Sequence, residues 1–204
     1  MRTPWAGYDV LDKWESPSFD TVTRGVLSQR LHAVPERRFL SEDEFRQLEA
    51  IAARLIPQPD RAAPIPIAPW IDADLFENRS EGFRRTGAPR LQDAWRRGLA
   101  GVEATARRRY VRGFSDLDPA SQDRTLEAIQ SGEVADVDWG GLSAEDFFGE
   151  LLKAVAGVYY AHPSAWSEIG FGGPASPRGY VRLGLNQRDP WEAEPAGSGR
   201  RSAP

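Results

Sequence analysis

Apolar residues recur at helical rather than alternating spacing over most of this 204-residue chain. Phe45, Leu48, Ile51, Ala52 and Leu55 form one stripe at three- and four-residue intervals, the mark of a helix with one buried side. Ser41 with Glu44 three positions on makes a capping box at its start, and Pro57 stops it. A proline-rich connection from Pro57 to Pro69 leads to a short helix over Pro69–Asn78, carrying Trp70, Ile71, Asp74 and Leu75. The longest predicted helix runs from Pro89 to Arg112. Its buried side is marked by Leu91, Trp95, Leu99 with Gly98, Val102, Ala106 and Tyr110. Asp118-Pro119 starts another helix, an acidic N-cap followed by proline at the first helical position, and Gly132 closes it. Ser143 with Asp146 opens the last, along which Phe147, Leu151, Leu152, Val155 and Tyr159 follow before His162-Pro163 ends it.

The flanks read differently. Residues 1–38 show no sustained period, and Trp5, Tyr8, Trp14 and Phe19 are scattered among Pro, Gly, Ser and Asp. They are expected to form an extended arm, with room for a short helix near Thr21–Leu31. The stretch from His162 to Tyr180 is rich in Gly and Pro and is expected to be irregular but ordered; residues 182–204 read as a disordered tail. No stretch alternates as a strand would. The expectation is an all-α chain with an irregular helical body over residues 39–181, an N-terminal arm and a Gly/Pro-rich C-terminal segment.

Composition narrows the function. Net charge is −4, and 24 of the 26 cationic residues are arginine, Lys13 and Lys153 being the exceptions. No basic stripe interleaves with aromatics, which argues against nucleic acid as a partner. The run Arg107-Arg108-Arg109, with Glu103 a turn away, reads as a solvated or partner-facing helix surface. Absence of cysteine excludes disulfides, thiolate nucleophiles and cysteine-ligated metal sites in this chain. No stretch approaches the length of a membrane span, and no leader is apparent at the N-terminus, so a cytoplasmic location is expected.

Catalytic equipment is sparse. His32 lies in the irregular N-terminal region. His162 sits before a proline at a helix end, where an imidazole can meet free carbonyls. Gly170-Phe171-Gly172-Gly173 is not a dinucleotide fingerprint and follows no predicted strand. The acidic pairs Asp136/Asp138 and Glu145/Asp146 carry no signal for acid–base work. No catalytic, cofactor-binding or metal-ligating residue is therefore assigned. The seven tryptophans say more. Trp95 and Trp70 fit a core, but Trp5, Trp14, Trp166 and Trp191 lie in irregular segments, where burial needs another surface. That surface is either a partner, for which tryptophan is a favoured anchor, or the chain's own body.

The order of these signals resembles the gluconate 2-dehydrogenase small-subunit (subunit 3) family. The resemblance runs from Phe39-Leu40-Ser41-Glu42-Asp43-Glu44 through Leu55-Ile56-Pro57, Ile71-Asp72, Leu117-Asp118-Pro119-Ala120 and Asp146-Phe147-Phe148. It is most specific in Val158-Tyr159-Tyr160-Ala161-His162-Pro163, followed by Trp166-Ser167-Glu168-Ile169-Gly170-Phe171-Gly172-Gly173-Pro174 and Tyr180. The resemblance implies a non-catalytic helical subunit bound to a large FAD-containing oxidoreductase of the glucose-methanol-choline type, acting on sugars, sugar acids or glycosides. FAD would belong to that partner. Trp5, Trp14, Tyr159, Tyr160, His162, Trp166, Ile169, Phe171 and Tyr180 are the expected partner-interface residues. Relatives often carry a twin-arginine leader, absent here, and a Tyr-Gly-Gly-Asn insertion where this chain has only Ser164-Ala165 before Trp166. A stand-alone helical enzyme or ligand-binding protein, and a transient assembly chaperone for the flavoprotein, remain as alternatives.

Overall fold

A computed structural model describes residue 5 and residues 7–79, 89–174 and 193–194. Among these residues there are seven α-helices and no strand, the all-α class expected from the sequence: α1 Thr21–His32, α2 Glu42–Leu55, α3 Ile67–Phe76, α4 Leu91–Tyr110, α5 Pro119–Gln130, α6 Ala144–Ala161 and α7 Pro163–Trp166, the last in a stretch expected to be irregular. Short 3-10 turns occupy Val10–Lys13, Phe114–Asp116, Asp136–Asp138 and Ser167–Ile169. The chain divides into two compact units, Pro35–Val158 and a unit composed of Met1–Val34 with Tyr159–Pro204. Of the predicted tail, only residues 193–194 are described; Tyr180 and Trp191 lie outside the described residues.

In the Pro35–Val158 unit, α2 packs on α3, α4 and α5. The capping box forms as its sequence requires: Ser41 Oγ accepts the Glu44 N–H at 3.2 Å, and the Glu44 carboxylate accepts the Ser41 N–H at 2.8 Å. Leu48, Ile51 and Ala52 are buried from its stripe. The chain leading into α2 is fixed by one buried carboxylate on α3. Asp72, fully buried, accepts the backbone N–H groups of Arg38 (2.6 Å), Phe39 (3.1 Å) and Leu40 (2.7 Å). A buried carboxylate is tolerable when donors surround it this way. Helix α3 starts two residues before the expected Pro69. Proline sits comfortably there because the first N–H groups of a helix have no partner inside it.

Helix α4 carries the tightest packing of this unit. A Cβ on Gly98 would fall 2.1 Å from the Phe147 ring, and one on Gly101 would fall 2.7 Å from the Trp139 ring. The two glycines are thus notches for aromatic rings, and Trp95 meets Phe147 edge to face at 5.8 Å. The arginine run at the end of α4 is solvent-facing, yet bound to its own unit. Arg107 pairs with Glu103, Arg108 grips Asp138 through two bonds of 2.6 and 2.7 Å, and Arg109 donates to the Glu133 carbonyl. Arg108 holds the Asp138 carboxyl below its ordinary value of 3.8, opposed by a smaller effect of desolvation. Helix α4 ends at Val111, which is 88% exposed and adopts a left-handed conformation with φ 58° and ψ 23°. Asp118 caps α5 through the Ser121 N–H as predicted, and Arg54 ties α2 to α5 through a two-bond pair with Asp123.

In the terminal unit α1 occupies the place of the short helix expected near Thr21–Leu31, while the residues before it turn where an extended arm was expected. Within residues 7–34 the backbone is mostly helical turn. Asp9 accepts the Leu11 N–H at 2.9 Å and starts the Val10–Lys13 turn; Asp20 accepts the Thr23 N–H at 2.7 Å and starts α1. These acidic caps set the local structure where no apolar stripe exists: along α1 only Leu27 is buried. Val10, Phe19, Leu27 and Trp166 form the core of this unit, with Tyr8, Leu11 and Trp14 packed at its edge.

Candidate functional site

The described residues among those singled out from the sequence as an interface fall in the terminal unit. The last turn of α6 supplies Tyr159 and Tyr160, whose rings meet edge to face at 5.1 Å. Tyr159 is buried, and its hydroxyl donates to Glu168 at 2.7 Å. Its neighbour Tyr160 is 45% exposed. His162, largely buried, serves the start of the next turn: its Nδ1 accepts the Ser164 N–H at 3.3 Å, with Pro163 at the first helical position. The expectation from sequence placed this imidazole against the carbonyls that end α6. The bond to Ser164 makes it an N-cap of α7.

The short sequence Pro163-Ser164-Ala165-Trp166 therefore folds as a single helical turn, which drives Trp166 inward. Trp166 is 4% exposed, and its indole N–H donates to the Tyr160 carbonyl at 2.8 Å. Buried indoles need such an acceptor. On its outer side the ring of Phe171 stands edge to face at 5.3 Å, and the Phe171 N–H returns to the Trp166 carbonyl at 3.0 Å. Phe171 remains 45% exposed and Ile169 is 49% exposed.

Trp5 and Trp14 belong to this same unit. Trp14 meets Phe19 edge to face at 6.3 Å, and the Trp5 ring lies against Gly170. The aromatics that seemed in sequence to need another surface thus find much of it within their own chain. Of the nine residues expected at the interface, eight are described, Tyr180 lying outside the described residues. Trp166, Tyr159 and His162 are buried, Trp5 and Trp14 are half-buried, and Tyr160, Ile169 and Phe171 hold large apolar area open to solvent. Sequence reading missed Val10, Lys13 and Leu27 as members of this cluster. Asp9 and Asp20, each placed to cap a turn, are the signal that would have brought them in.

A concavity of about 310 Å³ lies in the Pro35–Val158 unit and is lined by Glu44, Gln47, Glu103, Arg107, Ser115 and Asp116 among others. Two of its carboxylates are matched locally. Glu103 accepts from Arg107 and from the Phe114 N–H, and Glu44 pairs with Arg96. Among the described residues no group of three or more His, Asp or Glu side chains is placed to hold a metal ion, and no helix is long and apolar enough to cross a membrane.

The molecule is thus an all-α protein with an aromatic cluster whose outer edge is open to solvent. The profile of the gluconate 2-dehydrogenase subunit 3 family matches residues 42–173, well over half of the chain, and the chain belongs to that family. No curated protein and no solved structure matched it.

Proposed function

We propose that this chain is a non-catalytic small subunit that binds and stabilises a larger FAD-dependent oxidoreductase of the glucose-methanol-choline type, acting on sugars, sugar acids or glycosides. Membership of a family described as a dehydrogenase subunit supports the general role. The observation that carries the surface is the arrangement around Trp166. Tyr160 and Phe171 are exposed rings held in fixed orientation by buried neighbours, Tyr159 and Trp166, and Ile169 lies between them in sequence. Rigid, half-exposed aromatics lose little conformational freedom on association, which is why such residues dominate interface energetics. All three lie inside the family-matched region.

The flavin and the groups that abstract substrate protons belong, on this reading, to the large subunit. The test is affinity capture of the tagged chain from its native cells, with an absorbance spectrum of the eluate. A stoichiometric larger protein with a flavin spectrum that bleaches on adding a sugar or sugar acid is the expected result. A colourless chain eluting alone, or activity from the purified chain without a partner, would overturn it. Capture only during synthesis, with no complex at steady state, would indicate an assembly chaperone.

A further inference from the structure

Three of the four residues from Gly170 to Gly173 are glycine, and Gly170 and Gly173 adopt φ values of +68° and +78°. Such a stretch has unusual backbone freedom to lose on ordering. Close neighbours in sequence supply part of the restraint, through the Gly170 N–H to the Ser167 carbonyl (3.4 Å) and the Phe171 N–H to the Trp166 carbonyl (3.0 Å). Much of the remainder comes from the other end of the chain.

Each of the four residues is met by one from the N-terminal segment. The Trp5 ring covers Gly170 so closely that a Cβ there would fall 2.6 Å from it. Tyr8 donates its hydroxyl to the Phe171 carbonyl at 3.4 Å, and Lys13 Nζ donates to the Gly172 carbonyl at 2.7 Å. Phe19 and Val10 close over Gly173, 3.1 and 3.4 Å from where its Cβ would lie. One turn earlier, Ser167 Oγ accepts the Val10 N–H at 3.0 Å and donates to Asp9 at 3.3 Å.

Lys13 is the most informative of these. Its side chain is buried, and burying an ammonium is unfavourable unless acceptors meet it. Here one acceptor is a loop carbonyl, and the Tyr8 ring lies 5.7 Å from the nitrogen. The clamping residues lie outside the family-matched region, whereas the loop they hold is its last stretch.

We propose that Trp5 and residues 8–19 are an intramolecular clamp that imposes the conformation of the glycine-rich loop 167–173 and thereby fixes Phe171 against Trp166. Contacts from outside the family-matched region thus control the shape of that region's end. Opening the clamp releases the loop while the Pro35–Val158 unit stays folded.

The test is hydrogen–deuterium exchange on the full chain and on its Lys13→Met and Trp5→Leu variants. The expected result is exchange at Phe171 and its neighbours about tenfold faster or more in both variants, with the amides of Val102–Ala106 in α4 unchanged. Unchanged protection at Phe171 in both variants overturns the proposal. Protection lost equally at Phe171 and in α4 also overturns it, since Trp5 and residues 8–19 would then be a general stabilising element. This readout needs no partner subunit, so failure of the clamp and failure of the accessory-subunit reading are told apart.

Discussion

Asp72 holds Leu40 by its backbone N–H at 2.7 Å, and through that bond and two like it one side chain of α3 sets the path of the chain into α2. Replacing Asp72 with asparagine turns an acceptor-only group into one that presents N–H donors to other donors. The loss should be roughly 2–3 kcal/mol, the scale for orphaning buried charge-assisted bonds. A urea titration should show the midpoint falling in Asp72→Asn with the slope unchanged; an unchanged midpoint would remove this role from Asp72.

Gly98 is a packing notch, whereas Gly149 on α6 is exposed and has open space where a Cβ would go. Gly98→Ala should therefore destabilise by about 1–3 kcal/mol through overpacking against Phe147, exceeding the gain in helix propensity. At Gly149 only the propensity term remains, and Gly149→Ala should stabilise by up to about 1 kcal/mol. Thermal unfolding of the two variants side by side should move in opposite directions.

Most of the helical unit was legible in the sequence because its signals are local. The capping box at Ser41, the Asp118-Pro119 start and the stripe from Phe45 to Leu55 each lie within a few residues. In the terminal unit the helix at Thr21–His32 was legible but its packing was not, because that packing joins residues some 160 positions apart. Trp166 looks irregular beside its sequence neighbours and becomes core only when Val10, Phe19 and Leu27 stand next to it. The same distance hid Lys13, which reads as a surface charge until Gly172 is brought to it. Tyr160, Ile169 and Phe171 were singled out through family resemblance; their exposure came from the structure.

Val111 is a β-branched residue in the left-handed region, where Cβ crowds the following carbonyl at a cost of about 1–2 kcal/mol. Its side chain is almost wholly exposed, so little packing offsets that strain. Val111→Gly should stabilise the protein by about 1 kcal/mol, measured by chemical denaturation. No change, or a loss, would mean that the glycine's extra unfolded-state entropy outweighs the strain relieved.

The Arg108–Asp138 pair gives a pH dependence of defined sign. Because Asp138 is held below its ordinary carboxyl value, its contribution is present above about pH 4 and is lost as pH falls through the lowered value. Asp138→Asn should flatten the acid limb of the stability–pH curve while leaving the slope between pH 6 and 8 unchanged. Identical acid limbs in the two proteins would show the pair to be energetically silent, as exposed pairs often are.

Phe171→Ala removes an exposed ring, whereas Trp166→Ala empties a buried site. The first should leave the melting temperature within a few degrees of the parent, while the second costs about 3–5 kcal/mol. If the aromatic edge anchors a partner, Phe171→Ala and Tyr160→Ala should each lower co-purification of the flavoprotein at least tenfold, a loss expected of interface anchors. Full retention of the partner by both would place the interface elsewhere.

The pairing of the chain's beginning with its last third also has a cost in time. A ribosome releases Lys13 some 159 residues before Gly172 exists. At about 5–20 residues per second the wait is on the order of ten to thirty seconds. Throughout it Val10, Phe19 and Leu27 lack the Trp166 surface that later covers them. That apolar surface stays uncovered until Trp166 has been made. A message truncated before the codon for Trp166 would yield a chain in which Val10, Phe19 and Leu27 never find their seat.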